Sequence, residues 1–117
     1  MRDYKRLQVW QKSHELAIAA YRITACMPRE ELYALTSQMR RASVSVPANI
    51  AEGCGRTGEA ELARFMSIAS GSASELEYYC ILCRDLRMLE AADCERLIEM
   101  IIELKKMLTA YVKKLKE

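Results

Sequence analysis

The chain has 117 residues, 51% of them hydrophobic and only six of them glycine or proline, which suits one packed core and argues against disorder or an all-β fold. Formal net charge is +2, and no run reaches the roughly 18–20 unbroken apolar residues that a membrane span needs. The basic-then-apolar start, MRDYKRLQVWQKSHELAIAA, is interrupted by Gln11, Lys12, His14 and Glu15, so it does not read as an export signal and the expected location is the cytoplasm.

Four helices are predicted. In the first, about 8–26, Leu7, Trp10, His14, Ala17, Tyr21 and Thr24 step by three and four with Ile18 beside them, and Met27-Pro28 stops the run. The second, about 34–53, puts Leu35, Met39, Ala42, Val46, Asn49 and Ile50 on one stripe. Pro47 lies deep inside it and has no N–H for the Ser43 carbonyl, which predicts a bend, or else a break at Val46. Gly53 is expected to close this helix through a positive φ. The third helix, about 58–88, starts at a Thr57 or Gly58 cap with Glu59 and Glu61 in its first turn. It carries Leu62, Phe65, Ala69, Ser72, Leu76, Tyr79, Cys83 and Leu86 at helical spacing, flanked by Met66, Ala73, Cys80 and Arg87. Its small-residue centre, IASGSAS, lets another backbone come close. The fourth, about 92–116, shows a heptad-type seam of Leu97, Ile101, Leu104, Leu108, Tyr111 and Leu115, widened by Ile98, Ile102 and Val112. Short connections imply an antiparallel up-down-up-down four-helix bundle over 1–117, all-α and a single domain. Helices three and four are apolar over more of their circumference than one core needs, which suggests a subunit interface.

The chemistry-bearing residues form no catalytic pattern. Gly53-Cys54-Gly55 has no preceding strand and no following Lys-Ser/Thr, so it reads as a helix end and turn and not as a phosphate cradle. His14, the one histidine, has no nucleophile or acid at readable spacing, and Glu52 and Glu75 lack the Glu-x-x-His partners of a di-iron bundle. Five cysteines, at 26, 54, 80, 83 and 94, fit reduced thiols. Cys80 and Cys83 share one helix face and read as buried small hydrophobes in preference to a zinc or redox pair. No enzyme activity, metal or cofactor is expected. Gln38, Asn49, Glu52, Ser72 and Glu75 lie on or near apolar stripes, where an unpaired polar group costs about 1–3 kcal/mol. Together with Gly53 they are expected to form a polar joint between helices two and three, serving either register or a ligand.

Charge is unevenly distributed. Residues 1–56 hold nine Lys/Arg against five Asp/Glu, residues 57–103 four against ten, and residues 104–117 five against one. Basic ends flank an acidic middle, and the candidate nucleic-acid contacts are Arg40, Arg41, Lys105, Lys106, Lys113, Lys114 and Lys116. A solvated charged face is the competing explanation.

The segments LQVWQKSHELAIAAYRI, MPREELYALTSQMRRASVSVPANIAEGCGR and ARFMSIASGSASELEY closely resemble the four-helix-bundle family encoded within intervening sequences of bacterial 23S ribosomal RNA, also called the S23 ribosomal protein family. Asn-Ile-Ala-Glu-Gly after Gln-x-Arg-Arg is the most specific part, and Pro47 is the one departure. The fold is also similar to the accessory variability protein of diversity-generating retroelements. The resemblance implies a homopentamer, five bundles around a central channel, with no catalytic activity. It further implies basic surface that binds RNA or DNA and a protein partner such as a reverse transcriptase or ribosomal component. Arg40 and Arg41 match the family's Gln-x-Arg-Arg segment, whereas the C-terminal lysines match no motif. The leading expectation is a non-enzymatic, homo-oligomeric, phosphate-contacting accessory protein; the alternative is a protein-binding adaptor without a nucleic-acid role.

Overall fold

The computed structural model describes residues 2–117, which form four long helices and two short 3-10 turns, Tyr4–Arg6 and Arg29–Glu31. The helices are α1 (Gln8–Thr24), α2 (Leu35–Gly55), α3 (Glu59–Asp85) and α4 (Ala91–Leu115). The molecule measures 44 × 22 × 19 Å, so the 27-residue α3, about 40 Å long at 1.5 Å per residue, spans its full length. Consecutive helices pack side by side and α1 closes the square against α4, while among the described residues the backbones of the diagonal pairs α1/α3 and α2/α4 do not come close. The α1/α2 seam and the α3/α4 seam therefore lie on opposite sides of the bundle.

The α4 seam is buried as its spacing predicts, from Leu97 through Leu108, with Tyr111 and Leu115 half-buried at the end. Its centre faces Met66, Ala69, Ala73 and Leu76 of α3 in one continuous core with Met39, Val46 and Ile50 of α2. On α1 the predicted stripe is partly displaced. Its Ala17 and Thr24 are buried and its Leu7 and Trp10 pack against the core, but His14, Ile18 and Tyr21 are exposed, and Val9, Ser13, Leu16, Ala20 and Ile23 face inward in their place. Adjacent residues lie about 100° apart on a helix, so the buried face overlaps the predicted one and is centred to one side of it. Buried Ser13, Thr24 and Ser43 satisfy their hydroxyls on their own helices, through Trp10 O (2.8 Å), Ala20 O (2.6 Å) and Arg40 O (2.9 Å).

α2 runs through Pro47 without a break and ends at Gly55. Gly53 does not close it with a positive φ; the one glycine with positive φ among the described residues is Gly58, at 93°, where α3 begins. Gly53 is instead a point of close approach. A Cβ there would lie 2.7 Å from Phe65 Cβ and 3.2 Å from Leu62 Cδ1, both on α3. α3 also ends earlier than its apolar spacing predicts, at Asp85, with Leu86 and Arg87 exposed. Arg87 takes φ 59°, its N–H reaching Arg84 O and that of Met88 reaching Cys83 O, a Schellman stop with arginine in the usual glycine slot.

Gly53→Ala should therefore lower stability by about 1–3 kcal/mol through overpacking against Phe65. Gly55→Ala, which meets nothing within 4 Å and keeps a helical backbone, should raise it by about 0.5 kcal/mol. Paired urea-unfolding curves read both, and equal effects at the two glycines would refute the close-approach role.

Candidate functional site

At one end of the bundle the start of the chain and the end of α4 lie side by side. The Arg2 N–H donates to the Cys54 carbonyl (3.2 Å) and the Arg2 side chain pairs with Glu59, which docks the N-terminal segment on the α2–α3 turn. α4 finishes beside them, since Glu59, Ala60 and Arg64 share a surface depression with Leu115 and Lys116. The arginines here are committed: Arg56 pairs with Glu52 (2.8 Å) and Arg64 with Glu61 (2.9 Å), and both guanidiniums lie over the Phe65 ring. The Arg64 partner holds the Glu61 carboxyl below the usual carboxylate range. Lys113, Lys114 and Lys116 are exposed in and just after the last turn of α4, and no ion pair within 4.0 Å engages them among the described residues.

The remaining candidate cations are dispersed. Lys106 is exposed on α4, and Lys105 bonds Glu77 of α3 at 3.0 Å. Arg40 is tied to the end of α1: its Nε donates to Thr24 Oγ1 (2.9 Å), its Nη2 to Tyr21 O (3.3 Å), and its guanidinium lies 4.8 Å from the Tyr21 ring centre. A cation at that helix C-terminus complements its carbonyls and dipole, so Arg40 acts within the chain. Arg41 is exposed.

The polar joint is half assembled. Asn49 Nδ2 donates to Ser45 O (2.7 Å) and to Ser45 Oγ (2.9 Å), and Ser45 Oγ meets Ser72 Oγ across the α2/α3 seam at 2.8 Å. Asn49 thus bonds the Ser45 carbonyl and not the Ser43 carbonyl facing Pro47. Gln38, Glu52 and Glu75 are exposed and do not join this set; Glu52 turns to Arg56, and Glu75 accepts from Tyr79 Oη at 3.2 Å. Burial first, then the Glu75 charge, pushes the Tyr79 phenol up. Ser45, the pivot of the joint, carries no sequence signal, because an exposed serine and a bridging one read alike.

Two exposed apolar grooves lie on opposite sides. His14, Ile18, Tyr21, Val44 and Pro47 line one of about 390 Å³ between α1 and α2, with Ile18 38% and Tyr21 45% exposed. Across the molecule, Ser67, Ser70, Gly71 and Ser74 of α3 face Leu108, Thr109 and Val112 of α4 around one of about 460 Å³. Ile102, Lys105, Lys106, Ala110 and Lys113 frame a third of about 440 Å³ beside it.

Cys54, Cys80, Cys83 and Cys94 are buried and Cys26 is exposed. Burial pushes the Cys80 thiol up to about 12 and Cys83 up to about 11. Among the described residues no three His, Cys, Asp or Glu side chains converge as metal ligands, and no helix is long and apolar enough to cross a membrane.

The fold and these surfaces define a small all-helical bundle in which polar side chains knit helices together. A family model described as 23S rRNA-intervening sequence protein matches residues 5–110. The chain belongs to that family. A crystal structure of a protein of unknown function from the S23 ribosomal protein family of Bacteroides thetaiotaomicron is similar, with 24% identity and a TM-score of 0.83 over 90% of this chain and 98% of that one. That likeness shows the shared fold. A search of curated proteins finds no match.

In their folded environment Cys80 and Cys83 retain protons that the unfolded chain releases near pH 9. Their contribution to stability is complete below that value and declines as pH rises toward 11–12. Denaturant midpoints should fall across this alkaline window and flatten in a Cys80→Ala/Cys83→Ala variant. Under native conditions at neutral pH a thiol reagent should label Cys26 alone.

Proposed function

We propose that this chain is a non-enzymatic homo-oligomer that binds RNA or DNA through phosphate contacts. The observation that carries the reading is a set of exposed lysines late in α4, Lys113, Lys114 and Lys116, beside the chain start and without an ion pair among the described residues. Lysines without base-reading neighbours give sequence-tolerant, salt-sensitive attachment to the phosphate backbone. Membership in a family described by an intervening sequence of 23S rRNA agrees with an RNA partner. The retroelement accessory proteins offer a DNA-linked counterpart, with a reverse transcriptase as partner.

The proposed assembly is a homopentameric ring of antiparallel up-down-up-down bundles. Antiparallel order is supported by contacts whose numbers fall along α3 as they rise along α2: Met39 with Cys83, Ser45 with Ser72 and Gly53 with Phe65. Two unlike apolar grooves on opposite sides suit a head-to-tail contact, which closes into a ring when the rotation permits. Five copies multiply the charge of +2 to about +10 and set five lysine clusters on one rim, where avidity replaces single-site strength.

A filter-binding titration of single-stranded RNA at about 50–200 mM salt tests this reading. Affinity should fall steeply with salt, and replacing Lys113, Lys114 and Lys116 by glutamine should reduce the log–log slope by roughly 2 for each engaged copy. Binding indifferent to salt, or absent at low salt, overturns it.

A second reading, a protein-docking adaptor, is favoured by the opposite end. There Tyr33 is 93% exposed and Leu32 45% exposed, in the connection between α1 and α2. Nuclease treatment before pull-down separates the two, because an adaptor keeps its partner.

A further inference from the structure

The end of the bundle remote from the lysines holds an unusual concentration of sulfur. Cys83 Sγ lies 3.4 Å from Met39 Sδ and 3.8 Å from Met27 Sδ. The three atoms come from three segments: Met27 in the α1–α2 connection, Met39 on α2 and Cys83 on α3. Cys83 and Met39 are fully buried, and Met27 is 9% exposed. Cys94 of α4 lies close enough that its charged form raises the Cys80 and Cys83 thiols further. Sulfurs from α2, α3, α4 and the α1–α2 connection thus lie in one region.

We propose that Met27, Met39 and Cys83 form a binding site for a soft monovalent metal ion, copper(I) or its analogue silver(I), held by one thiolate and two thioethers. Ligand softness selects this class, since thiolate and thioether sulfur favour copper(I) over the harder divalent ions. Zinc sites draw on histidine, cysteine and carboxylate, and among the described residues no three of those converge. Charge selects it independently. A monovalent cation on one thiolate is neutral and suits a dry core, whereas a divalent ion leaves an uncompensated positive charge there.

The two sulfur–sulfur distances from Cys83 are close to what such an ion needs. With metal–sulfur bonds of about 2.3 Å, trigonal to tetrahedral coordination sets sulfur atoms about 3.8–4.0 Å apart. The Cys83–Met27 separation already has that value, and the Cys83–Met39 pair must open by about half an ångström. Methionine side chains, with three rotatable bonds, absorb such a shift without moving the helices. Met27 stands just before Pro28 at the edge of the core, which gives the ion a short path inward.

In the metal-free protein the Cys83 thiol donates to Met39 Sδ. Loading exchanges that proton for the metal: Cys83–SH plus M⁺ gives Cys83–S–M plus H⁺, with no change in oxidation state. Apparent affinity should therefore rise about tenfold per pH unit below the pKa of the thiol.

The test is an anaerobic titration of the full chain, in a Cys26→Ser background to remove the exposed thiol, with silver(I) or with copper(I) against a competing chelator. One ion per chain is expected, with the ε-methyl NMR signals of Met27 and Met39 shifting while those of the other methionines stay in place. Met27→Leu and Met39→Leu are nearly isosteric, keep the fold by circular dichroism, and should each weaken binding at least tenfold. Cys83→Ser should abolish it. The site is overturned if no one-to-one ion survives the chelator, if both leucine variants bind like the parent, or if a Cys80→Ser/Cys94→Ser variant loses the ion while Cys83→Ser retains it.

Discussion

The separation between α2 and α3 is set where Gly53 meets Phe65, and much of the molecule takes its position from that contact. Without a side chain at Gly53 the two backbones come close enough for Ser45 and Ser72 to bond hydroxyl to hydroxyl farther along the seam. Past the contact, Met39 and Cys83 bring their sulfurs together. The turn that follows Gly53 also presents the Cys54 carbonyl on which the N-terminal segment docks. The missing Cβ thus permits the close approach of α2 and α3 at this end of the seam.

Much of this architecture was legible in the sequence, unevenly. α4 reads clearly because its leucines and isoleucines repeat without interruption, and burial follows them from Leu97 to Leu108. α1 misleads in part because His14 and Tyr21 share a stripe with Ala17 and Thr24: the latter two are buried as expected, while the rings turn outward and Leu16, Ala20 and Ile23 beside them fill the core. Gly53 looks like a helix stop by type, yet the stop falls two residues later and its real role depends on Phe65, which no local pattern supplies. Of the expected polar joint, Asn49 and Ser72 meet through Ser45, while Gln38, Glu52 and Glu75 are exposed, Glu52 turning to Arg56 and Glu75 to Tyr79. The sulfur group was hidden for a simpler reason: residues 27, 39 and 83 come together only once α2, α3 and the α1–α2 connection are placed.

The same placement sorts the charges. Some arginines are consumed locally, by Glu52, Glu59 and Glu61 at one end and by the α1 terminus in the case of Arg40. Such exposed pairs contribute little to stability, about 0–1 kcal/mol each, but they neutralise one another. Lys113, Lys114 and Lys116 stay outward-facing late in α4, and so do Arg6, Arg22, Arg29, Arg41 and Arg87 elsewhere on the molecule. Basic character in the sequence is thus divided between residues that tie the fold together and residues that face solvent, and neither residue type nor net charge predicts which is which.

Because the four helices return the chain to the end at which it started, any peptide grafted onto either terminus emerges beside Lys116, shielding those lysines, while the far end with Tyr33 stays open. An affinity handle is therefore no neutral addition to this protein. Circular permutation offers the way around it: a short link between the present ends and a cut in the Arg29–Glu31 connection would move a handle to the far end, beside Tyr33, and leave all four helices intact.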